Sequence, residues 1–274
     1  MSDAAPAPVS GSSFYAAMRI LPPPERAAMF AVYEFCRRVD DIADDPGPSR
    51  ADRQTALDGW RSDLETIYAG RKRGKAAFLE PAIARFHLAK ADFLAVIDGM
   101  AMDVEADIQA PSFEALDLYC DRVASAVGRL SVRIFGMEDA PGIVLAHHLG
   151  RALQFTNILR DLDEDAAIHR LYLPEEALAA AGVASREPGA VILDPGLDGA
   201  CRWLADKALG HYAAADRVMR QARRGRLRAP RLMGAVYGHI LRRMMAAGWA
   251  APRARVKVGK ARLAWIVLTR GLTD

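Results

Sequence analysis

Apolar residues recur at intervals of three and four along most of this 274-residue chain. The segment 25–44 is the clearest case, because Met29, Val32, Cys36 and Val39 fall on one side of a helix. No segment alternates apolar and polar residues at period two, which is the pattern of a half-buried strand. Helical segments joined by short loops predict an all-α fold with a shared apolar core.

Prolines, glycines and capping residues divide this pattern into separate helices. Pro22, Pro23 and Pro24 predict the start of the helix over 25–44, and Ser112 is typical of an N-cap. A loose leader over 1–12 precedes one predicted domain over 13–274, in which 181–199 is rich in glycine and proline and predicts a long loop. The other predicted helical segments are 52–69, 78–105 as one or two helices, 113–136, 141–163, 200–225 and 229–249.

Composition excludes several classes of protein. Half of the residues are apolar (51%), which is too many for a disordered chain, and the three cysteines are too scattered for a disulfide scaffold or a cysteine zinc site. The first 13 residues lack the pattern of a signal peptide, and no apolar run is long enough to span a bilayer, so we expect a cytoplasmic protein.

The charge is divided unevenly along the chain. Residues 1–201 carry a net charge of −11, whereas 202–274 carry +14. The basic part leaves open a peripheral contact with the inner face of an anionic membrane. Nucleic acid is not a predicted partner, because this part has few aromatic residues and no binding motif.

Two groups of acidic residues lie at helical spacing. Asp40 and Asp44 share one face of a helix, as do Asn157, Asp161 and Asp165. Like charges four residues apart destabilise a helix by a few tenths of a kcal/mol, so both groups need compensation. Mg²⁺ prefers such oxygen ligands and commonly binds through a few carboxylates together with substrate phosphates. The alternative is that both groups are solvated helix ends, as most charge runs are.

Arginines and histidines near these groups have different expected roles. Arg37 and Arg160 each flank an acidic group and could bind phosphate oxygens in a bidentate manner. His147 and His148 are adjacent in an apolar helix, and the sequence shows no further ligand near them. They are therefore predicted to be structural or surface residues.

Six motifs follow one another along the chain and together resemble the squalene/phytoene synthase family of head-to-head prenyltransferases. Within that family, 118–136 and 160–174 look most like the bacterial presqualene diphosphate synthases of hopanoid pathways. The six motifs are SSFY (12–15), YxxCRxxDDxxD (33–44), DGMxMD (98–103), YCxxVAxxVG (119–128), QxxNILRDxxxD (154–165) and RxYLP (170–174).

The resemblance implies an isoprenoid-synthase helical bundle with a central apolar cavity, and it implies roles for particular residues. Looser similarity extends these roles to Tyr237 and Arg255 in the C-terminal part. The implied catalytic residues are Asp40, Asp44, Asp161, Asp165 and Tyr119. The implied Mg²⁺ ligands are Asp40, Asp44, Asn157, Asp161 and Asp165. The implied diphosphate-binding residues are Ser13, Arg37, Gln154, Asn157, Arg160 and Arg255. The implied cavity residues are Phe14, Tyr33 and Tyr237.

The reaction that the resemblance implies is condensation of two farnesyl diphosphates to presqualene diphosphate, toward squalene and hopanoids. This first half-reaction needs Mg²⁺ and no NADPH, and later squalene-pathway enzymes would be partners. One alternative is a phytoene synthase, which joins two geranylgeranyl diphosphates. Another is a non-catalytic assembly factor on the same fold, but such relatives lack intact aspartate pairs and this chain keeps both.

Overall fold

A computed structural model describes residues 18, 20–71, 74–222, 225, 227–259 and 266. Within these residues the chain is helical and contains no strand, which confirms the all-α prediction; an isolated bridge joins Gln109 and Leu171. None of the helices described is long and apolar enough to cross a membrane. The α-helices are α1 (Pro23–Asp44), α2 (Arg50–Tyr68), α3 (Glu80–Phe86), α4 (Lys90–Glu105), α5 (Phe113–Cys120), α6 (Ala126–Ile134), α7 (Asp139–Arg160), α8 (Leu162–Ala167), α9 (Glu175–Ala180), α10 (Pro188–Val191), α11 (Leu197–Gln221) and α12 (Arg228–Ala247).

Local sequence explains where several of these helices begin. Proline occupies the first turn of α1, where its missing N–H costs nothing. The Ser49 hydroxyl accepts a hydrogen bond from the Asp52 N–H, and the Asp52 carboxylate accepts one from the Ser49 N–H. Ser112 caps α5 by accepting from the Ala115 N–H, as the sequence predicts.

Helix α7 lies at the centre of the fold. It packs against α6 on one side and against α11 and α12 on another, while α4 packs against α1 and α2. Large apolar side chains fill the space between these helices; Phe35, Phe93 and Phe155 are fully buried. Burial of this kind stabilises the bundle by roughly 1.5–3 kcal/mol for each large apolar side chain.

The predicted helix over 113–136 is interrupted by a π-helical turn, which the sequence pattern does not predict. Residues Asp121–Ser125 form a π-helical turn between α5 and α6. The turn packs directly against two glycines, Gly99 on α4 and Gly150 on α7. A Cβ on Gly150 would lie 2.8 Å from the backbone of Ser125, and a Cβ on Gly99 would lie 2.5 Å from Val123. Helices α4 and α7 therefore approach the turn more closely than any larger residue would allow.

Two other predicted boundaries need correction. The predicted helix over 141–163 ends at Arg160, because the backbone of Asp161 leaves the helical region (φ −105°, ψ 18°) before α8 begins. The predicted loop over 181–199 contains the short helix α10 and the first turn of α11. The leader 1–12 lies outside the described residues, and the domain over 13–274 stays a prediction.

Candidate active site

The two acidic groups lie near the same two residues, because the charges of Asp103 and Arg170 act on both Asp40 and Asp165. Asp40 and Asp44 lie in the last turns of α1, and Asp161 and Asp165 lie where α7 gives way to α8. The helix break at Asp161 does not move Asp161 and Asp165 onto different faces. The Asp161 N–H donates to the Asn157 carbonyl (2.9 Å), and the Asp165 N–H donates to the Asp161 carbonyl (2.8 Å). The spacing of four residues, and with it the common face, is kept across the break.

The crowding of these acids changes their ionisation. Asp40 is accessible from the cleft, but the surrounding helices displace much of the water around its carboxyl. This burial, followed by the charge of Asp44, raises the pKa of Asp40 to about 7. Burial and then the charge of Asp161 raise the pKa of Asp165 to about 7 as well, and Arg170 opposes both shifts. The site therefore concentrates negative charge and would be relieved by a cation.

A buried acid connects the two groups. Asp103 on α4 is 5% exposed, and its charge contributes to the raised pKa values of both Asp40 and Asp165. Its carboxylate accepts hydrogen bonds from the hydroxyls of Tyr119 (3.0 Å) and Tyr172 (2.8 Å). The two tyrosine rings stack with centroids 5.1 Å apart. Tyr119, a predicted catalytic residue, is thus held in one orientation beside the acidic groups.

Arg170 is the basic residue that the acidic groups already share. Its guanidinium donates to Asp44 (2.7 Å), and its charge acts on Asp40, Asp103 and Asp165. The sequence assigns no role to Asp103, and it leaves open whether Arg170 and Tyr172 bind diphosphate or seal a loop. In the sequence these residues are marked only by the motifs DGMxMD and RxYLP, to which they belong. Nothing in the local pattern shows that these two segments contact the aspartates.

Asp161 has a different environment from its neighbours. Arg160 donates to both of its oxygens (2.8 and 2.6 Å), and Arg255 donates to one of them (2.8 Å). The Arg160 guanidinium also lies 5.9 Å from the ring centroid of Tyr237. Both arginines were predicted to bind diphosphate. They lie at the site, but here they are paired with Asp161, so binding a diphosphate requires these ion pairs to loosen.

An apolar cavity of about 360 Å³ begins behind the acidic groups. It runs between α6, α7 and α12, and Tyr33, Gln154, Asn157 and Tyr237 are among its lining residues. A second space of about 460 Å³ forms its mouth and shares Tyr33 and Gln154 with it. The mouth is polar, because Arg37, Asp40, Asp41 and Tyr119 contribute to its lining.

Asn157 provides the most specific indication that the site suits a cation. Its Oδ1 atom is buried without a hydrogen-bond partner, while its Nδ2 atom makes only a long contact of 3.5 Å with Gln154. An unsatisfied buried acceptor costs about 1–3 kcal/mol. Asn157 lies one turn before Asp161 and lines the cavity, which makes its Oδ1 atom a candidate ligand for a cation at the neighbouring carboxylates.

The candidate ligands fit Mg²⁺ if a substrate diphosphate supplies the remaining ligands. All the candidate ligands are oxygens, which Mg²⁺ prefers. Among the residues that the structure describes, no three of these carboxylates converge closely enough to hold one ion alone. Mg²⁺ usually binds through one or two carboxylates and completes its shell with water and substrate phosphate. The geometry therefore fits ions that arrive with a diphosphate.

The remaining predicted residues are placed as follows. Arg37 lines the mouth and lies 3.7 Å from Asp41 in an exposed ion pair. Ser13 and Phe14 lie outside the described residues, so their place in the site stays a prediction.

Known proteins similar to this chain carry related activities. The presqualene diphosphate synthase of Zymomonas mobilis is 56% identical over 271 residues, which cover 98% of this chain and 93% of that protein. The presqualene diphosphate synthase of Rhodopseudomonas palustris is 57% identical over 251 residues, covering 92% and 90%. A maize chloroplast phytoene synthase is 40% identical over 182 residues, which cover only 64% of this chain and 42% of that protein.

The fold has matching relatives among solved structures. A dehydrosqualene synthase crystallised with a ligand superposes with a TM-score of 0.82 at 26% identity, covering 94% of this chain and 90% of that one. Residues 7–262 match the sequence profile of the family described as squalene/phytoene synthase. The chain belongs to the squalene/phytoene synthase family.

Proposed function

We propose that this protein joins two farnesyl diphosphates head to head to form presqualene diphosphate, with release of one diphosphate. Members of its family act on prenyl diphosphates and generally depend on divalent metal ions. The observation that carries the proposal is the junction of an acidic mouth with an apolar cavity at Tyr33 and Gln154. Such a site can hold a charged head group and an apolar chain at once. The high identity to presqualene diphosphate synthases over nearly the whole chain favours this product over phytoene.

The acidic residues bind the metal ions that accompany the substrates. Asp40 and Asp44 would hold metal ions from α1, and Asn157, Asp161 and Asp165 would hold them from the junction of α7 and α8. Mg²⁺ held there would supply positive charge to the departing diphosphate. Arg37 at the mouth, together with Arg160 and Arg255 beside Asp161, adds positive charge, and preorganised cations stabilise a leaving diphosphate.

The cavity protects the reaction that follows. Departure of the diphosphate from one farnesyl group leaves an allylic cation, and the C2=C3 electron pair of the second substrate forms the new carbon–carbon bond. Loss of a proton then closes the cyclopropane ring. Apolar walls exclude water, which would otherwise trap the cation as an alcohol.

Tyr119 orients this chemistry and does not act as a strong base. Burial and the neighbouring Asp103 hold the pKa of Tyr119 well above its usual value, so it remains a neutral phenol. The diphosphate released in the first step is a stronger base than a neutral phenol, and it is the proton acceptor in this proposal. Tyr119 lines the mouth, and its hydrogen bond to Asp103 and its stacking on Tyr172 hold it rigidly there.

The proposal includes a location for the enzyme. It is cytoplasmic, and the positive charge of residues 202–274 draws it to the inner face of the membrane, into which apolar products partition. An enzyme that reduces presqualene diphosphate would act next.

Product analysis tests the activity. Purified protein given farnesyl diphosphate and Mg²⁺ without NADPH should accumulate presqualene diphosphate and release one diphosphate per product. Omission of the metal ion serves as the control and should abolish turnover. Absence of product, or preferential formation of phytoene from geranylgeranyl diphosphate, would contradict the proposal.

The metal requirement should depend on pH. Because the pKa values of Asp40 and Asp165 are about 7, protons compete with the metal below that pH and cease to compete above it. The concentration of metal for half-saturation should therefore fall roughly tenfold for each such group between pH 6 and pH 8. The substrate diphosphate also titrates in this range, so Asp40→Asn and Asp165→Asn should be compared with the wild-type protein, and each should show a smaller change with pH. Mn²⁺ binding in the presence of diphosphate should be followed by electron paramagnetic resonance. Equal affinity at both pH values would exclude these acids as ligands.

A further inference from the structure

Three histidines come together on the side of α7 away from the cavity. His147 and His148 are adjacent on α7, and α11 brings His211 against them. One ring nitrogen from each residue lies within 4.8 Å of the others. Among the described residues, this is the one group of three or more potential ligand side chains that converges so closely. The sequence could not show it, because His211 is more than sixty residues away along the chain.

The contact between two of the rings matches the geometry of ligands on a shared ion. The Nδ1 atoms of His148 and His211 are 3.0 Å apart, so one ring donates a hydrogen bond to the other, and that proton would have to leave when an ion binds. If both atoms bound one ion at about 2.0–2.1 Å, they would subtend roughly 94° at it. That angle is close to the right angle between neighbouring ligands in square and octahedral complexes and somewhat below the tetrahedral angle. The third ring, that of His147, has a ring nitrogen within 4.8 Å of the other two.

The rings are packed in place yet accessible to solvent. His147 and His148 lie edge to face, with centroids 4.8 Å apart, and His211 packs against Phe155 at 5.8 Å. All three residues are only partly buried. An ion can therefore reach them, and the helices fix their positions before it binds, which lowers the entropic cost of binding.

The charges near the three histidines do not, in sum, oppose the binding of a cation. Arg151, one turn further along α7, is neutralised by Asp117 and Asp121, and Asp121 also accepts from Arg129, which donates to Asp92. This chain of three acids and two arginines carries a net charge of −1. Asp117 lies close enough to His147 and His211 for their charges to act on it. Arg217 near His148 opposes a cation, but it is exposed and screened by water.

We propose that His147, His148 and His211 form a binding site for a borderline transition-metal ion such as Zn²⁺, Ni²⁺ or Cu²⁺. Imidazole suits these ions, whereas Mg²⁺ prefers oxygen ligands. The site is thus distinct in chemistry from the aspartate groups. It is also distant from them, because ten helical residues separate His147 from Asn157, which corresponds to about 15 Å along α7.

The site has a structural connection to the cavity. The His147 carbonyl accepts from the Ser125 hydroxyl (3.3 Å), and Ser125 ends the π-helical turn whose Val123 and Ala124 line the cavity. An ion held by His147 would stiffen this part of α7 against the turn.

Metal titration of the untagged full-length protein tests the proposal. With millimolar Mg²⁺ present to occupy the oxygen sites, the wild-type protein should bind one equivalent of Zn²⁺ with micromolar affinity or better. Cu²⁺ bound there should show nitrogen splitting in its electron paramagnetic resonance spectrum. His211→Ala should weaken binding at least about tenfold. His211→Phe keeps the packing against Phe155 and should weaken it equally.

The matched control is His87→Asn. His87 is exposed and has a left-handed backbone (φ 50°), which asparagine tolerates, and this variant removes a histidine outside the cluster. It should bind Zn²⁺ as the wild-type protein does. The proposal is overturned if wild-type protein binds no Zn²⁺ in this range, or if the folded His211→Phe variant binds it with unchanged affinity.

Discussion

Replacement of Asp165 with asparagine should lower kcat by about a hundredfold to a thousandfold or more and should stabilise the metal-free fold at pH 8. Asparagine keeps the size of the side chain but loses the charge that attracts Mg²⁺. Removal of one preorganised electrostatic contact to a transition state costs about 10²–10³ in rate. The metal ion supplies a larger share of that stabilisation, so the loss here should be at least as large.

The gain in stability follows from the sign of the pKa shift. The pKa of Asp165 rises from 3.8 to about 7 on folding, so between these values the folded state binds more protons than the unfolded state. Stability of the metal-free protein therefore falls as pH rises through this window, and the cost remains in full above it. Asparagine removes this cost, which is on the order of 1–2 kcal/mol once screening by solvent is allowed for.

Asp45→Asn is the matched control for this experiment. Asp45 directly follows the first acidic group, but its carboxylate accepts from the Gly47 N–H (2.9 Å) and closes a turn. Asparagine can make the same hydrogen bond, so kcat should change by less than about twofold. Turnover and urea unfolding of both variants should be measured at pH 8. An Asp165→Asn enzyme with nearly normal kcat at saturating Mg²⁺ would remove Asp165 from the metal site.

The acidic groups were visible in the sequence because their chemistry is local. Asp40 and Asp44, like Asp161 and Asp165, are four residues apart, and a helix places such pairs on one face whatever surrounds it. The helices themselves follow from apolar periodicity for the same reason. Proline at the start of α1 and Ser112 at the start of α5 act only on their own first turns.

The partners of these acids were not visible because they come from distant segments. Arg170 reaches Asp44 across 126 positions of the chain, and Tyr172 reaches Asp103 across 69. Periodicity carries no information about which helices become neighbours. The pairing of Arg255 with Asp161 shows the same limit, since it depends on the C-terminal segment folding back over α8.

The π-helical turn could not be predicted from the sequence for a different reason. Val123 and Ala124 continue a regular helical pattern, and the extra residue in the turn is required by packing against α4 and α7. Only the glycines at 99 and 150 hint at a close approach, and a glycine in a helix has no unique explanation in sequence. Such turns are frequent at functional sites, and this one shapes the wall of the cavity.

Replacement of Arg151 with methionine should lower the free energy of unfolding by about 1.5–3 kcal/mol. Arg151 is 4% exposed and donates to both oxygens of Asp117 (2.6 and 2.8 Å), to Asp121 (3.1 Å) and to Ser125 (2.9 Å). It therefore ties α5 and the π-helical turn to α7. Methionine fills similar space but leaves Asp117 without its cation, while Asp121 keeps Arg129. Asp117 is 37% exposed, so water offsets part of the loss, and the cost lies below that of a fully buried ion pair.

The matched control is an exposed ion pair. Lys90 donates to both oxygens of Glu65 (2.8 Å each), but both side chains are at least 36% exposed. Lys90→Met should therefore change stability by no more than about 1 kcal/mol. Chemical denaturation of both variants, followed by circular dichroism, measures the difference directly.

A double variant separates the ion pair from simple loss of packing. If the cost comes from an uncompensated charge, Asp117→Asn should recover part of it in the Arg151→Met background, with a coupling energy of about 0.5–3 kcal/mol. Equal destabilisation by Arg151→Met with or without Asp117 would show that the arginine acts through its bulk alone.

Because Ser125 lies in the same network and closes the turn that carries Val123 and Ala124, any variant that remains folded should also show a raised KM for farnesyl diphosphate. An unchanged KM together with a large loss of stability would separate the ion-pair network from the shape of the cavity.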